Sequence, residues 1–203
     1  MSSASPTRAS LPRLAFWAQL SETAGLAIQV VGLLLGFGLV YGAAHLVPNA
    51  PGRLPVLLTG WYLVYVCCHA SAHWAIGRLV GIRFRGFGLR GSDHPQDYPP
   101  GLRQLMQVLP TFTALTDRQS MRSASRRARA AMFAAGETST AICSILIGWY
   151  AWVSGIPGGS VFFTVMVVFN IVATIVTSLV PRGDYAKARR ALKTPAAAAP
   201  ALQ

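Results

Sequence analysis

The chain has 203 residues, of which 53% are hydrophobic and only 12% charged, and its mean hydropathy is +0.44. Soluble domains carry about 25% charged residues, so this composition excludes an ordinary water-soluble domain and favours an integral membrane protein. The formal net charge of +12 brings nucleic acid to mind, but the basic residues cluster between long apolar runs, a pattern of membrane topology rather than of nucleic-acid binding.

Residues 1–15 are rich in Ser, Ala and Pro and read as a flexible N-terminus. Four apolar runs follow, each able to cross a hydrocarbon core of roughly 30 Å, which takes about 20 helical residues. They cover approximately Ala24 to Val47, Pro55 to Val80, Ala130 to Val153 and Ser160 to Val180. The first is too long, and too far from the start, for a cleaved signal peptide and reads as a retained span. Pro48-Asn49-Ala50-Pro51-Gly52 and Ile156-Pro157-Gly158-Gly159 are turns that fold the runs into two helical hairpins. Between the hairpins, Ile82-Arg83-Phe84-Arg85-Gly86-Phe87 alternates apolar and basic residues, the period-two pattern of a half-buried strand. Gly91 to Pro100 reads as loop, Leu102 to Leu109 as a short interfacial helix, and Ser120 to Arg129 as a basic helix running into the third span. The fold class expected is therefore all-α, with four transmembrane helices and a short β-strand or hairpin after the second. The membrane domain covers 16–192 with a cytoplasmic loop at 81–129, and 193–203 is a disordered Ala/Pro tail.

Arg8 and Arg13 precede the first span, ten arginines lie between Arg78 and Arg129, and five basic residues follow the fourth span. The other two connections hold only Arg53. This alternation puts both termini in the cytoplasm; in a bacterial cell, helical spans imply the inner membrane. Cys67, Cys68 and Cys143 all fall in spans and read as small packing residues.

His69-Ala70-Ser71-Ala72-His73 is the most informative motif. Residues i and i+4 of a helix lie about 40° apart on one face, so both imidazoles can reach one metal ion. Span two runs inward, which puts this pair in its cytoplasmic half. Glu137, two turns into span three, and Asp184, just after span four, fall at the same depth. Ionisable groups in a membrane usually face a partner or a cavity. Two His and one Asp would supply three ligands of tetrahedral zinc with a fourth position for water. Spacing alone leaves other readings open: a hydrogen-bonded histidine pair, Glu137 tied to Thr138, Ser139 or Thr140, and Asp184 solvated beside Lys187.

The order of motifs resembles that of the site-2 protease family of intramembrane zinc metallopeptidases. In that family a membrane helix bearing His-Glu-x-x-His runs into a glycine-containing strand, as His69 to His73 is followed here by Gly77 to Gly88. Ala135-Gly136-Glu137 stands where the family has a Gly-Pro, with no matching Asn. Asn170, Pro181 and Gly183-Asp184 follow the order of its last motif, with Gly before Asp rather than after it. The resemblance covers roughly residues 60–192. It implies that His69, His73 and Asp184 are zinc ligands and that Ala70 occupies the place of the general-base glutamate. General acid–base catalysis is worth about 10²–10⁴-fold, so the resemblance implies a pseudoprotease that binds a membrane segment or extended peptide, the strand at Ile82 to Phe87 pairing with it by strand addition. An active zinc metallopeptidase using Glu137 as an unusual base, and a metal-free accessory subunit of a membrane complex, are the alternatives.

Overall fold

The computed structural model describes residues 16–91, 100–180 and 182–193. The expected N-terminal segment 1–15, most of the loop between Gly91 and Pro100, Pro181 and the tail beyond 193 lie outside them. In chain order the elements are β1 (Ala18–Leu20), α1 (Glu22–His45), α2 (Ala50–Leu79), β2 (Phe84–Arg90), α3 (Leu102–Val108), β3 (Thr111–Thr116), α4 (Arg118–Ser123), α5 (Arg126–Val153), α6 (Gly159–Leu179) and α7 (Asp184–Lys193).

Four helices, α1, α2, α5 and α6, are long and apolar enough to cross a membrane. Three of them start at short polar side chains, and α6 starts after Gly158. The oxygens of Ser21, Asn49 and Ser125 accept from the backbone N–H of Ala24, Gly52 and Ala128, satisfying donors that a first turn leaves unpaired. The expected continuous helix from Ser120 into the third span is broken for this reason. Ala124 is extended, and Ser125 caps a new helix.

The long helices pack in the order α1, α2, α5, α6. Between them lies a core of Val40, Ala43, Leu57, Val64, Ile147, Ala151, Phe162 and Met166. Gly36 and Gly60 let α1 and α2 approach to backbone contact. A Cβ at Gly60 would stand 2.7 Å from the Gly36 carbonyl oxygen, and one at Gly36 2.9 Å from that of Gly60. Small residues at such crossings are how helices with apolar surroundings gain close packing. At the far end of the bundle His45 Nε2 and the Tyr150 hydroxyl, 2.8 Å apart, tie α1 to α5. The outward faces remain apolar: Leu34 and Leu35 on α1, Trp149 and Trp152 on α5, and Val161, Val165 and Val172 on α6 are exposed.

The sheet has the order β1-β2-β3, antiparallel throughout. The strand expected from Ile82 to Phe87 is thus β2, shifted to Phe84–Arg90, and it is the central strand. Both of its edges are hydrogen-bonded, so strand addition to it by another chain is closed off. Gly86, at φ 139°, sits at a register shift between Phe84 and Gly86, where any Cβ would collide with the Leu20 carbonyl. The helices rest on the sheet through aromatic rings: Phe87 is fully buried under Gly25 of α1, and Phe84 packs under Gly77 of α2. The Tyr62 hydroxyl donates to the Pro110 carbonyl at 3.3 Å, so the start of β3 lies beside the middle of α2 rather than beyond its end.

Gly60→Val tests the α1–α2 crossing. Overpacking of this kind costs about 1–3 kcal/mol, read as a lower thermal unfolding midpoint. Gly38→Val, where a side chain would meet nothing within 4 Å, leaves the midpoint unchanged.

Candidate metal centre

His69 and His73 project from one face of α2. Asp184, the first residue of α7, meets them from the other end of the chain. His69 Nε2 lies 3.2 Å from Asp184 Oδ2, His73 Nε2 lies 3.1 Å from the same oxygen, and the two imidazole nitrogens are 3.2 Å apart. The side chains are 26%, 12% and 13% exposed for His69, His73 and Asp184. Among the described residues this is the one group of three or more such side chains able to hold a metal ion.

The protonation pattern makes the triangle informative. His73 Nδ1 stands 2.6 Å from the Met132 carbonyl oxygen. A carbonyl only accepts, so Nδ1 carries a proton, and in the neutral ring Nε2 is a bare lone pair. That lone pair faces the carboxylate oxygen and the other imidazole. A proton on His69 Nε2 can be shared with both, yet His73 Nε2 and Asp184 Oδ2 still oppose each other as acceptors. A cation among the three atoms relieves this.

The donor set fits zinc. Zn–N and Zn–O bonds of about 2.0–2.2 Å at tetrahedral angles place donors about 3.3 Å apart, close to the spacings observed. The bond from His73 to the Met132 carbonyl is the outer-shell contact that usually fixes a ligating imidazole. Asp184 is held in the same manner: Lys187 Nζ donates to Oδ1 at 2.8 Å, leaving Oδ2 to the imidazoles. Burial raises the Asp184 pKa, but the close imidazoles of His69 and His73 and the charge of Lys187 outweigh it and hold the carboxyl well below the usual carboxylate range.

Several local features bring the three residues together. Gly136 of α5 lies directly against the rings, where a Cβ would collide with His73 and stand 2.8 Å from His69. Helix α7 lies on α5 through Ala130, Ala188 and Ala191. The hydroxyls of Tyr185 and Thr138 meet at 3.1 Å, and Arg189 Nη2 donates to the Ser178 carbonyl at 3.2 Å. Gly183 precedes Asp184 where the chain passes so close to Thr177 that a Cβ would strike its backbone.

The other expected residues divide. Ala70 is wholly buried and offers no polar atom. Glu137 is near enough to His69, Asp184 and His73 to interact with them electrostatically. It is not tied to its neighbours: the hydroxyls of Thr138, Ser139 and Thr140 bond to backbone carbonyls instead. Asp184 is not simply solvated beside Lys187. Asn170 is buried and donates to the Met166 carbonyl at 2.7 Å, apart from the triangle. Cys67, Cys68 and Cys143 take no place in it.

Gln29 was not foreseen. It is fully buried in α1, donates to the Gly25 carbonyl, and accepts from Ser71 at 2.9 Å. Ser71 lies between the two histidines, so this amide braces the helix that presents them. A lone amide in an apolar run was the only signal, and its partner in another helix was not readable.

No protein-family model, curated protein or solved structure matches the chain.

Gly136→Ala pushes a methyl group against both imidazoles. Disturbing the immediate surroundings of metal ligands typically costs 10–100-fold in affinity, and that loss is expected in a zinc or cobalt titration of the purified variant.

Proposed function

We propose that this chain is a site-2-protease-like membrane protein that holds zinc on His69, His73 and Asp184 and has lost proteolysis. The observation that carries the reading is the convergence of three ligand-capable atoms at 3.1–3.2 Å, with the His73 tautomer set by the Met132 carbonyl. The zinc itself would supply Lewis acidity. The residues of this chain bind and orient the ion: Met132 and Lys187 hold the ligands from outside, and Gly136 gives the rings room. Moving protons at such a site needs a base within hydrogen-bond reach. Ala70, in the place where the family resemblance puts that base, cannot serve.

The membrane reading draws on the exposed apolar faces of α1, α5 and α6, which suit lipid better than water. The distribution of basic residues among the connections supports a cytoplasmic location for both termini, and for the metal centre with them. The client we propose is a membrane segment or extended peptide. With β2 occupied on both sides, its place is the outer edge of β3, which no other strand pairs among the described residues.

One observation favours a second reading, an active peptidase. Among the described residues no hydrogen bond to the Glu137 side chain holds it away from the histidines, and it interacts with them electrostatically. Metal analysis followed by a cleavage assay separates the two. The first reading predicts about one zinc per chain, lost in His69→Ala and Asp184→Ala, and no cleavage of membrane-segment substrates above that of His69→Ala. Cleavage by the wild type that vanishes in Glu137→Gln while zinc is retained would establish the second. A folded wild type without zinc would overturn both.

A further inference from the structure

Two of the three cysteines meet inside the bundle. Cys68 of α2 is buried and Cys143 of α5 is half-buried, and their thiols hydrogen-bond to each other. Both side chains belong to the apolar packing between the helices. The meeting follows from how closely α2 and α5 run here. The Ser139 hydroxyl, one turn before Cys143, donates to the Cys68 carbonyl at 3.3 Å. One turn earlier still, Gly136 lies against His69 and His73. A glycine, a serine and a cysteine thus face α2 in succession, and no long side chain holds the two backbones apart.

Cys67 points elsewhere. Successive residues of a helix lie about 100° apart, and Cys67 turns to α1, where its sulfur would collide with a Cβ at Gly32. The pairing therefore belongs to Cys68 and Cys143. A thiol is a weak donor and a weak acceptor, so their contact adds little to packing. What it brings is two sulfurs on different helices, already touching, that must close only to the disulfide length of about 2.05 Å.

We propose that Cys68 and Cys143 form a reversible disulfide that clasps α2 to α5, with a lipid-soluble quinone as the oxidant. Each S–H bond breaks and one S–S bond forms. The two electrons and two protons pass to the quinone, which leaves as the quinol. The α5 face beside Cys143, where Ile142 and Leu146 are more than half exposed, is apolar. It admits an uncharged ring and disfavours a charged thiol such as glutathione. The reverse step takes a dithiol able to enter the same surroundings, by exchange through a mixed disulfide. Because Cys68 directly precedes His69, the bond fixes α2 where it presents its imidazoles. The proposal needs neither zinc nor the protease resemblance; only the lipid solubility of the oxidant rests on the membrane reading.

The test treats the full chain in neutral detergent with tetramethylbenzoquinone, whose fully substituted ring leaves no carbon free for thiol addition. After denaturation without reductant, the remaining thiols are counted with a maleimide mass tag and linked peptides are mapped by mass spectrometry. Zinc-loaded and chelator-treated samples are run side by side, so that loss of the metal reading leaves this one standing. In both, the wild type is expected to fall from three thiols to one, with Cys68 joined to Cys143 within one chain. Dithiothreitol is expected to restore all three. Cys67→Ser should lose both of its thiols, whereas Cys68→Ser and Cys143→Ser should keep both of theirs. Retention of all three wild-type thiols, a bond through Cys67, or linkage only between chains would overturn the proposal. If a serine variant misfolds, the peptide map of the wild type decides alone.

Discussion

Asp184 and the imidazoles of α2 form the contact on which the organisation of the chain turns. A carboxylate and two histidines placed among apolar helices are costly unless each has a partner, and here each is the partner of the others. The contact joins residues 111 positions apart, so it constrains nearly everything between them. The alanines that seat α7 on α5, the glycine at position 136 and the carbonyl of Met132 all serve this one meeting. None of them offers a donor atom to the triangle, yet each bears on how closely the three donor atoms approach.

The geometry separates two capacities that usually travel together. Holding a metal ion needs donors at the right spacing, and that spacing is present, with the His73 tautomer fixed. Moving protons needs a further group with a carboxylate or imidazole of its own; position 70 offers only a buried methyl, and Glu137 is a carboxylate within electrostatic range of the histidines. The three residues join α2 and α7 at the level of α5. Gln29 and Ser71 add a second brace across α1 and α2 at the same level.

The long helices were legible because their apolar runs are both long and bounded by proline, glycine or charge. The histidine pair was legible because helical periodicity converts spacing into a shared face. The sheet was harder. β1 is three residues long, and its pairing with residues about seventy positions away cannot be read from local pattern. β3, Thr-Phe-Thr-Ala-Leu-Thr, does have the β-branched signature of a strand, but that signal was passed over beside the preceding short helix. The central position of β2 follows from both partners, so missing them led to the wrong expectation of an open edge. The break at Ala124 had a visible cue in Ser125, a good N-cap, which the surrounding basic run obscured. Gly136 and Met132 left no mark at all, since their roles lie in distances between helices rather than in the chemistry of their side chains.

The split of the donor set between α2 and α7 has a consequence for how the protein is made. The two histidines emerge from synthesis with the first half of the chain, while their acidic partner emerges only after α6 is complete. Until then the imidazoles have no carboxylate and the histidine helix lacks the clasp that seats it. The centre therefore exists only once α7 has reached its place on α5, and a product truncated before α7 keeps the histidines without their partner.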